Sequence, residues 1–192
     1  MRSNKRYLIF GTRDRHGCGS LEDHPTQILL QSPRDTALVW PLLFVADSSN
    51  GRVLCLDMRT NKCNVAFKGR FPTAIAADVQ NLFVYDLDEN KVFHVHLKTW
   101  EVKHVLGTGT RAFSPEGALP LATNLNRISS MAIGHNGELV YACAEERRVM
   151  AFEMPQDNSV LSAGPLLAST VKLFDHQVGD EHNALVPTAG AK

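Results

Sequence analysis

The sequence predicts an all-β fold built from repeated four-stranded meanders. Three observations predict it. An apolar run, a polar turn and a second apolar run occupy residues 42–57 (LLFVADSSNGRVLCLD), and the same pattern recurs at 82–96 (LFVYDLDENKVFHVH) and 139–153 (LVYACAEERRVMAFE). The step from Leu43 to Leu82 is 39 residues, close to the length of one four-stranded propeller blade. Turn residues separate short apolar runs throughout, as strands joined by tight turns require.

Residues 7–10 (YLIF) read as a short strand ending at Gly11. Residues 11–31 are a long loop whose glycines and Pro25 oppose a regular helix, with one helical turn expected at 27–30. A first strand begins at Pro33, and Trp40-Pro41 turns the chain into a second strand at 42–46. The run DSSNG ends in Asn-Gly, a strong hairpin signal, and 52–57 follows with alternating side chains. After the turn RTNK, residues 63–67 supply a fourth strand. The second copy repeats this plan, with strands at 72–77, 82–85, 91–97 and 101–106. The third copy begins 57 residues after the second and so carries an 18-residue insertion, GTGTRAFSPEGALPLATN, at 107–124. The loop after Gly11 has the same form in the same place. Strands then follow at 128–133, 138–142 and 148–152, with a fourth expected at 159–163. The units are therefore 33–68, 72–106 and 107–164, within a repeat region of 1–164. Residues 7–10 are the last strand of a preceding unit, and 165–192 are a C-terminal strand or a partly disordered tail.

Composition excludes several classes. Twenty basic residues balance twenty acidic ones, so no bulk charge draws the chain to nucleic acid or anionic lipid. Hydrophobic residues at 44% and charged residues at 21% are a globular mix. No apolar run reaches the roughly 20 residues that cross a bilayer, and YLIF is too short for a secretory signal core, so the expected location is cytoplasmic. Cys18, Cys55, Cys63 and Cys143 form no CxxC and no zinc spacing, and are expected to be reduced and buried.

The runs 30–35 (LQSPRD) and 43–53 (LFVADSSNGRV), with 105–153, resemble the NHL repeat. That pattern has a Gly-rich loop with an acidic-Gly step, a small-residue step and a Leu, then a strand, a Gly turn, a strand ending in Ala-Asp, and Asn-x-Arg-Val. Glu116-Gly117, Ala122, Leu125, Gly137 and Arg148-Val149 fill these places in the third copy. Leu30, Pro33, Ala46-Asp47 and Asn50-Gly51-Arg52-Val53 fill them in the first. The second copy has Tyr85-Asp86 and Lys91, and the third has Cys143 where the Asp belongs. The resemblance covers residues 7–164 and implies a partial β-propeller of three four-stranded blades with a leading strand. Asp47 with Arg52, and Asp86 with Lys91, are expected as surface ion pairs that pin the hairpins, each worth about 0–1 kcal/mol. In the third copy Cys143 leaves Arg148 without that tie.

A closed propeller has about four to eight blades, so three leave the ring open. The sequence is part of a longer protein, or two chains close a six-bladed ring, or a protein partner covers the open side.

Candidate chemistry is sparse. His94 and His96 share one face of a strand, and His104 lies on the neighbouring one, a pattern with metal-pair spacing that surface or packing roles also explain. Asp35, Asp78 and Glu116 stand at loop ends, where lactonase-like propellers hold a cation, but the set is incomplete. GTGT at 107–110 lacks the Lys-Ser/Thr of a phosphate loop. No catalytic set, metal or cofactor is expected. Trp40 and Trp100 sit in turns as blade caps or contact points. Arg13, Arg15, His16, Arg34, Arg111 and Arg127 decorate the two long loops and the starts of the adjoining strands. A shared loop face would be basic and suited to an acidic peptide or, more weakly, to RNA. The expected function is a non-catalytic scaffold or protein-binding module. The alternatives are a lactonase- or lyase-type propeller enzyme and an RNA-binding domain.

Overall fold

A computed structural model describes residues 6–12, 15–154 and 171–173. Among these residues twelve strands follow in order: β1 (Pro33–Val39), β2 (Leu42–Asp47), β3 (Arg52–Asp57), β4 (Lys62–Lys68), β5 (Pro72–Ala77), β6 (Asn81–Asp86), β7 (Lys91–His96), β8 (Glu101–Leu106), β9 (Ile128–Ile133), β10 (Leu139–Cys143), β11 (Arg148–Phe152) and β12 (Val171–Leu173). They form three antiparallel four-stranded meanders, β1–β4, β5–β8 and β9–β12, each in sequential order. The first strands β1, β5 and β9 stand side by side, the arrangement of successive blades in a partial β-propeller. The helical segments among the described residues are three 3₁₀ turns of three residues each, and none is long and apolar enough to cross a membrane.

Strand alternation explains the packing. In β2 and β3, Phe44, Ala46, Val53 and Cys55 point to one face and meet Ile75, Leu82, Val84 and Val95 of the second sheet. The opposite face of the second sheet, through Phe83, Tyr85 and Val92, meets Leu139, Tyr141, Met150 and Phe152 of the third. Each fully buried side chain of this size is worth about 1.5–3 kcal/mol. The central strand β5 is mostly buried, whereas β1 and β9 are largely open, as the end blades of an unclosed ring must be.

The two long loops are structural equivalents. Gly11 N–H donates to Pro25 O at 3.0 Å, and Gly107 N–H donates to Pro120 O at 3.0 Å. Each Pro opens a 3₁₀ turn, Pro25–Gln27 and Pro120–Ala122, and each loop then seats a leucine, Leu30 or Leu125, against its starting glycine. A Cβ at Gly107, whose φ is +99°, would lie 2.7 Å from Leu125 Cδ1, so this position requires glycine. Through Ile28, Leu30, Leu21 and Phe10 the first loop packs over Leu54 and Cys63, on the face of the first sheet turned away from the second.

Several expectations change. Residues 7–10 form no strand, because no described sheet edge lies beside them, and Tyr7, Leu8 and Ile9 are exposed. The helical turn falls at Pro25–Gln27, where Pro25 supplies the first helical φ. The fourth strand of the third sheet is β12, paired with β11. The expectation at 159–163 lies outside the described residues, as does most of 165–192.

The hairpin ties also differ. Asp47 is 0% exposed and Arg52 is 7% exposed, so their 2.8 Å ion pair is buried, not a surface contact. Asp47 accepts from Gln31 N–H at 2.7 Å, Asn50 Nδ2 at 2.8 Å and Arg52 Nε at 2.8 Å. Arg52 Nη2 also reaches Leu29 O. Asp86 is equally buried but makes no ion pair with Lys91 among the described residues. Its carboxylate is filled instead by four backbone N–H groups, from Arg70, Phe71, Asp88 and Glu89. In the third sheet Cys143 sits opposite Arg148, and Arg148 stacks over Phe113 at 4.6 Å.

Candidate functional site

The first strands of the three sheets start at one end of the molecule, and a cleft of about 390 Å³ opens there. Registers make Arg34, Thr73 and Ser129 equivalent, each one residue into its sheet's first strand. All three line the cleft, with Leu87, Arg127, Ile128, Ala144 and Glu145. Leu87 and Ala144 are equivalent in turn, each following the last residue of its sheet's second strand. The cleft is thus built from the same places in successive repeats.

Its side chains are held from below. Asp86 accepts the N–H groups of Arg70 and Phe71, which fixes the approach to β5, and the Arg34 guanidinium lies 5.3 Å from the Phe71 ring centroid. Arg127 has φ +54°, a left-handed position equivalent to Ser32 at φ +53°. That turn swings Arg127 toward the β10–β11 turn, where Nη1 is 3.8 Å from Glu145 Oε1. Both partners are about half exposed, so this pair is worth about 0–1 kcal/mol and holds Arg127 loosely. Thr73 Oγ1 is buried and has no hydrogen-bond partner, and it is the only such side-chain atom among the described residues. A buried hydroxyl left this way costs about 1–3 kcal/mol until something satisfies it.

Of the arginines expected on the loop face, Arg34 and Arg127 meet in the cleft. Arg111 stands at its rim, donating through Nη2 to Leu87 O at 3.2 Å. Arg15 is elsewhere, lining a separate hollow of about 410 Å³ with Thr12, Gly19, Asp23, Gln27 and Leu29. Arg13 lies outside the described residues. The single basic face therefore divides into a cleft over the second and third sheets and a hollow within the first loop. Thr73, Ser129 and Glu145 were missed. Matching Pro33-Arg34 with Pro72-Thr73 in the repeat puts Thr73 at the position that Arg34 holds in the first sheet.

The remaining candidates serve the fold. His94 Nε2 bonds Asn81 Oδ1 at 2.8 Å, and its ring packs 5.1 Å from Phe83. Burial, with help from His96, pushes His94 down to about 4, so it is neutral at pH 7. His96 bonds Thr99 Oγ1, and His104 lies opposite Phe93 and bonds Gly107 O at 2.7 Å. Phe93 and His94 point to opposite faces, so His104 does not join the other two. No group of three or more His, Cys, Asp or Glu among the described residues is placed to hold a metal. Asp35 accepts Ile75 N–H, and Asp78 caps its own turn through Gln80 and Asn81. Cys55 and Cys63 are unpaired and belong to opposite faces of the first sheet, with thiols pushed up by burial to about 12 and about 11. Cys143 is likewise buried, while Cys18 is exposed. Trp40 and Trp100 are exposed in the β1–β2 and β7–β8 turns, at the end opposite the cleft.

No protein-family model matches the chain, and no curated protein matches it. Solved structures resemble it in fold. A chain of a nidogen/laminin complex is 17% identical, with 65% of this chain aligned to 60% of that one and a TM-score of 0.42. A gluconolactonase from Xanthomonas campestris is 14% identical over 74% of this chain and 43% of its own, with a TM-score of 0.42. A streptogramin B lyase is 10% identical over 68% of this chain and 57% of its own, again at 0.42. This chain spans 60% or less of each of the three. Likeness at this level concerns the fold alone.

Proposed function

We propose that the chain is a non-catalytic binding module of NHL-type repeats that takes an acidic, extended segment of a protein partner in the Arg34–Arg127 cleft. The carrying observation is the lining. Two guanidiniums, one carboxylate and the partnerless Thr73 hydroxyl line one cleft. Guanidiniums suit carboxylates through charge-assisted bonds, and an incoming polar group satisfies Thr73. The lining suits recognition better than proton transfer, because most of the groups with clearly displaced pKa, among them His94, Tyr85 and Cys143, sit in the blade packing.

Fluorescence anisotropy with a labelled Glu/Asp-rich decapeptide tests the reading. Arg34→Glu and Arg127→Glu are each expected to weaken binding at least about tenfold, the scale of one lost charge-assisted bond. Arg59→Glu, in the β3–β4 turn at the far end, is expected to leave it unchanged. Indifference to both cleft substitutions would remove the proposal. A labelled oligouridine bound more tightly than the peptide, and lost in the same two variants, would replace it with the RNA reading.

A further inference from the structure

The two outer sheets carry unmet copies of the interface that joins the inner ones. Val53 stands opposite Ala46, Val92 opposite Tyr85 and Val149 opposite Ala142, so the three valines occupy one position in successive sheets. Val53 and Val92 are 0% exposed, because the next sheet covers them, whereas Val149 is 46% exposed. Phe44 and Phe83 are buried in the same way, while their equivalent Val140 is only half-buried. At Val140 and Val149 the forward face of the third sheet is therefore apolar and open, while Ala151 between them is buried.

The rear face of the first sheet is its counterpart along β1, the part that the first loop over Leu54 and Cys63 leaves open. Thr36 and Leu38 correspond to Ile75 and Ala77, which pack against the first sheet, and to Met131 and Ile133, which pack against the second. Thr36 is exposed and Leu38 is 61% exposed.

We propose that a second copy of the chain fills both places. The forward face of each third sheet then packs on the rear face of the other copy's first sheet, continuing the interface already made twice within the chain. The three sheets of the described residues fall short of the four to eight that close a propeller, and two copies of them give six. A head-to-tail contact repeated by rotation closes into a ring with a twofold axis along the channel. The proposal is independent of the cleft's ligand.

Size-exclusion chromatography with light scattering on the full chain tests it. The expected mass is twice the 21.2 kDa of one chain, falling to one chain in Val149→Glu and in Leu38→Glu. Trp100→Glu, in the outer turn of the second sheet, is expected to keep the double mass. Both interface positions are largely exposed in one chain, so the far-UV circular dichroism of the variants is expected to match the parent. If one variant misfolds, the other decides. A single-chain mass for the parent, a larger open assembly, or a dimer that survives both substitutions would overturn the ring.

Discussion

Asp47→Ala is expected to lower the unfolding free energy by about 3–5 kcal/mol, the cost of leaving one member of a buried ion pair alone. The carboxylate is fully buried and holds three donors from different places: the Gln31 backbone ahead of β1, the Asn50 amide in the hairpin, and Arg52 at the start of β3. Its loss strands the Arg52 guanidinium in a site where it is 7% exposed, with Leu29 O as its other acceptor. It also frees the loop from the sheet, because Asn50 Nδ2 bonds both Asp47 and Gly17 O. Urea denaturation followed by circular dichroism measures the change as a shift in midpoint. Lys91→Ala, at the corresponding place in the second sheet, is the control, and a change under about 1 kcal/mol is expected because Lys91 lacks that role. Equal effects at the two sites would contradict the assignment.

Phe83→Ala is expected to cost about 3–5 kcal/mol, the range for deleting a buried aromatic side chain. Phe83 is 1% exposed and lies in the cluster that joins the second sheet to the third. Its ring packs on neutral His94, a side chain that cannot expand to fill the gap because its Nε2 is committed to Asn81. The cavity therefore falls in the sheet interface. The same denaturation experiment reads it, and a loss below about 1 kcal/mol would show that the third sheet is not packed there.

The period of the repeat made the sheets legible. Apolar alternation on either side of DSSNG, DLDEN and AEERR specifies hairpins, and a 39-residue step leaves room for four strands and little else. The burial of Asp47 was not legible in that pattern. An Asp next to a turn reads as a surface residue, and only the return of Gln31 and the long loop closes water away from it. Asp86 shows the same limit. Sequence pairs it with Lys91, but the backbone N–H groups of four residues fill the carboxylate first. The leading segment YLIF has strand composition, yet a strand needs an edge to bond to, and none of the described residues supplies one. Arg34 and Arg127 were legible as basic residues at strand starts. Their meeting with Thr73 depends on the side-by-side placement of β1, β5 and β9, a tertiary fact.

That placement is the centre of the account, and amide hydrogen exchange at Ile75 tests it most directly. The Ile75 N–H donates across the sheet boundary to Asp35 Oδ2 at 2.8 Å. The account predicts slow exchange at Ile75 in the parent chain and fast exchange in Asp35→Ala, with protection of the neighbouring β6 amides retained. Fast exchange at Ile75 in the parent, or protection unchanged in Asp35→Ala, would contradict the packing of the first sheet against the second.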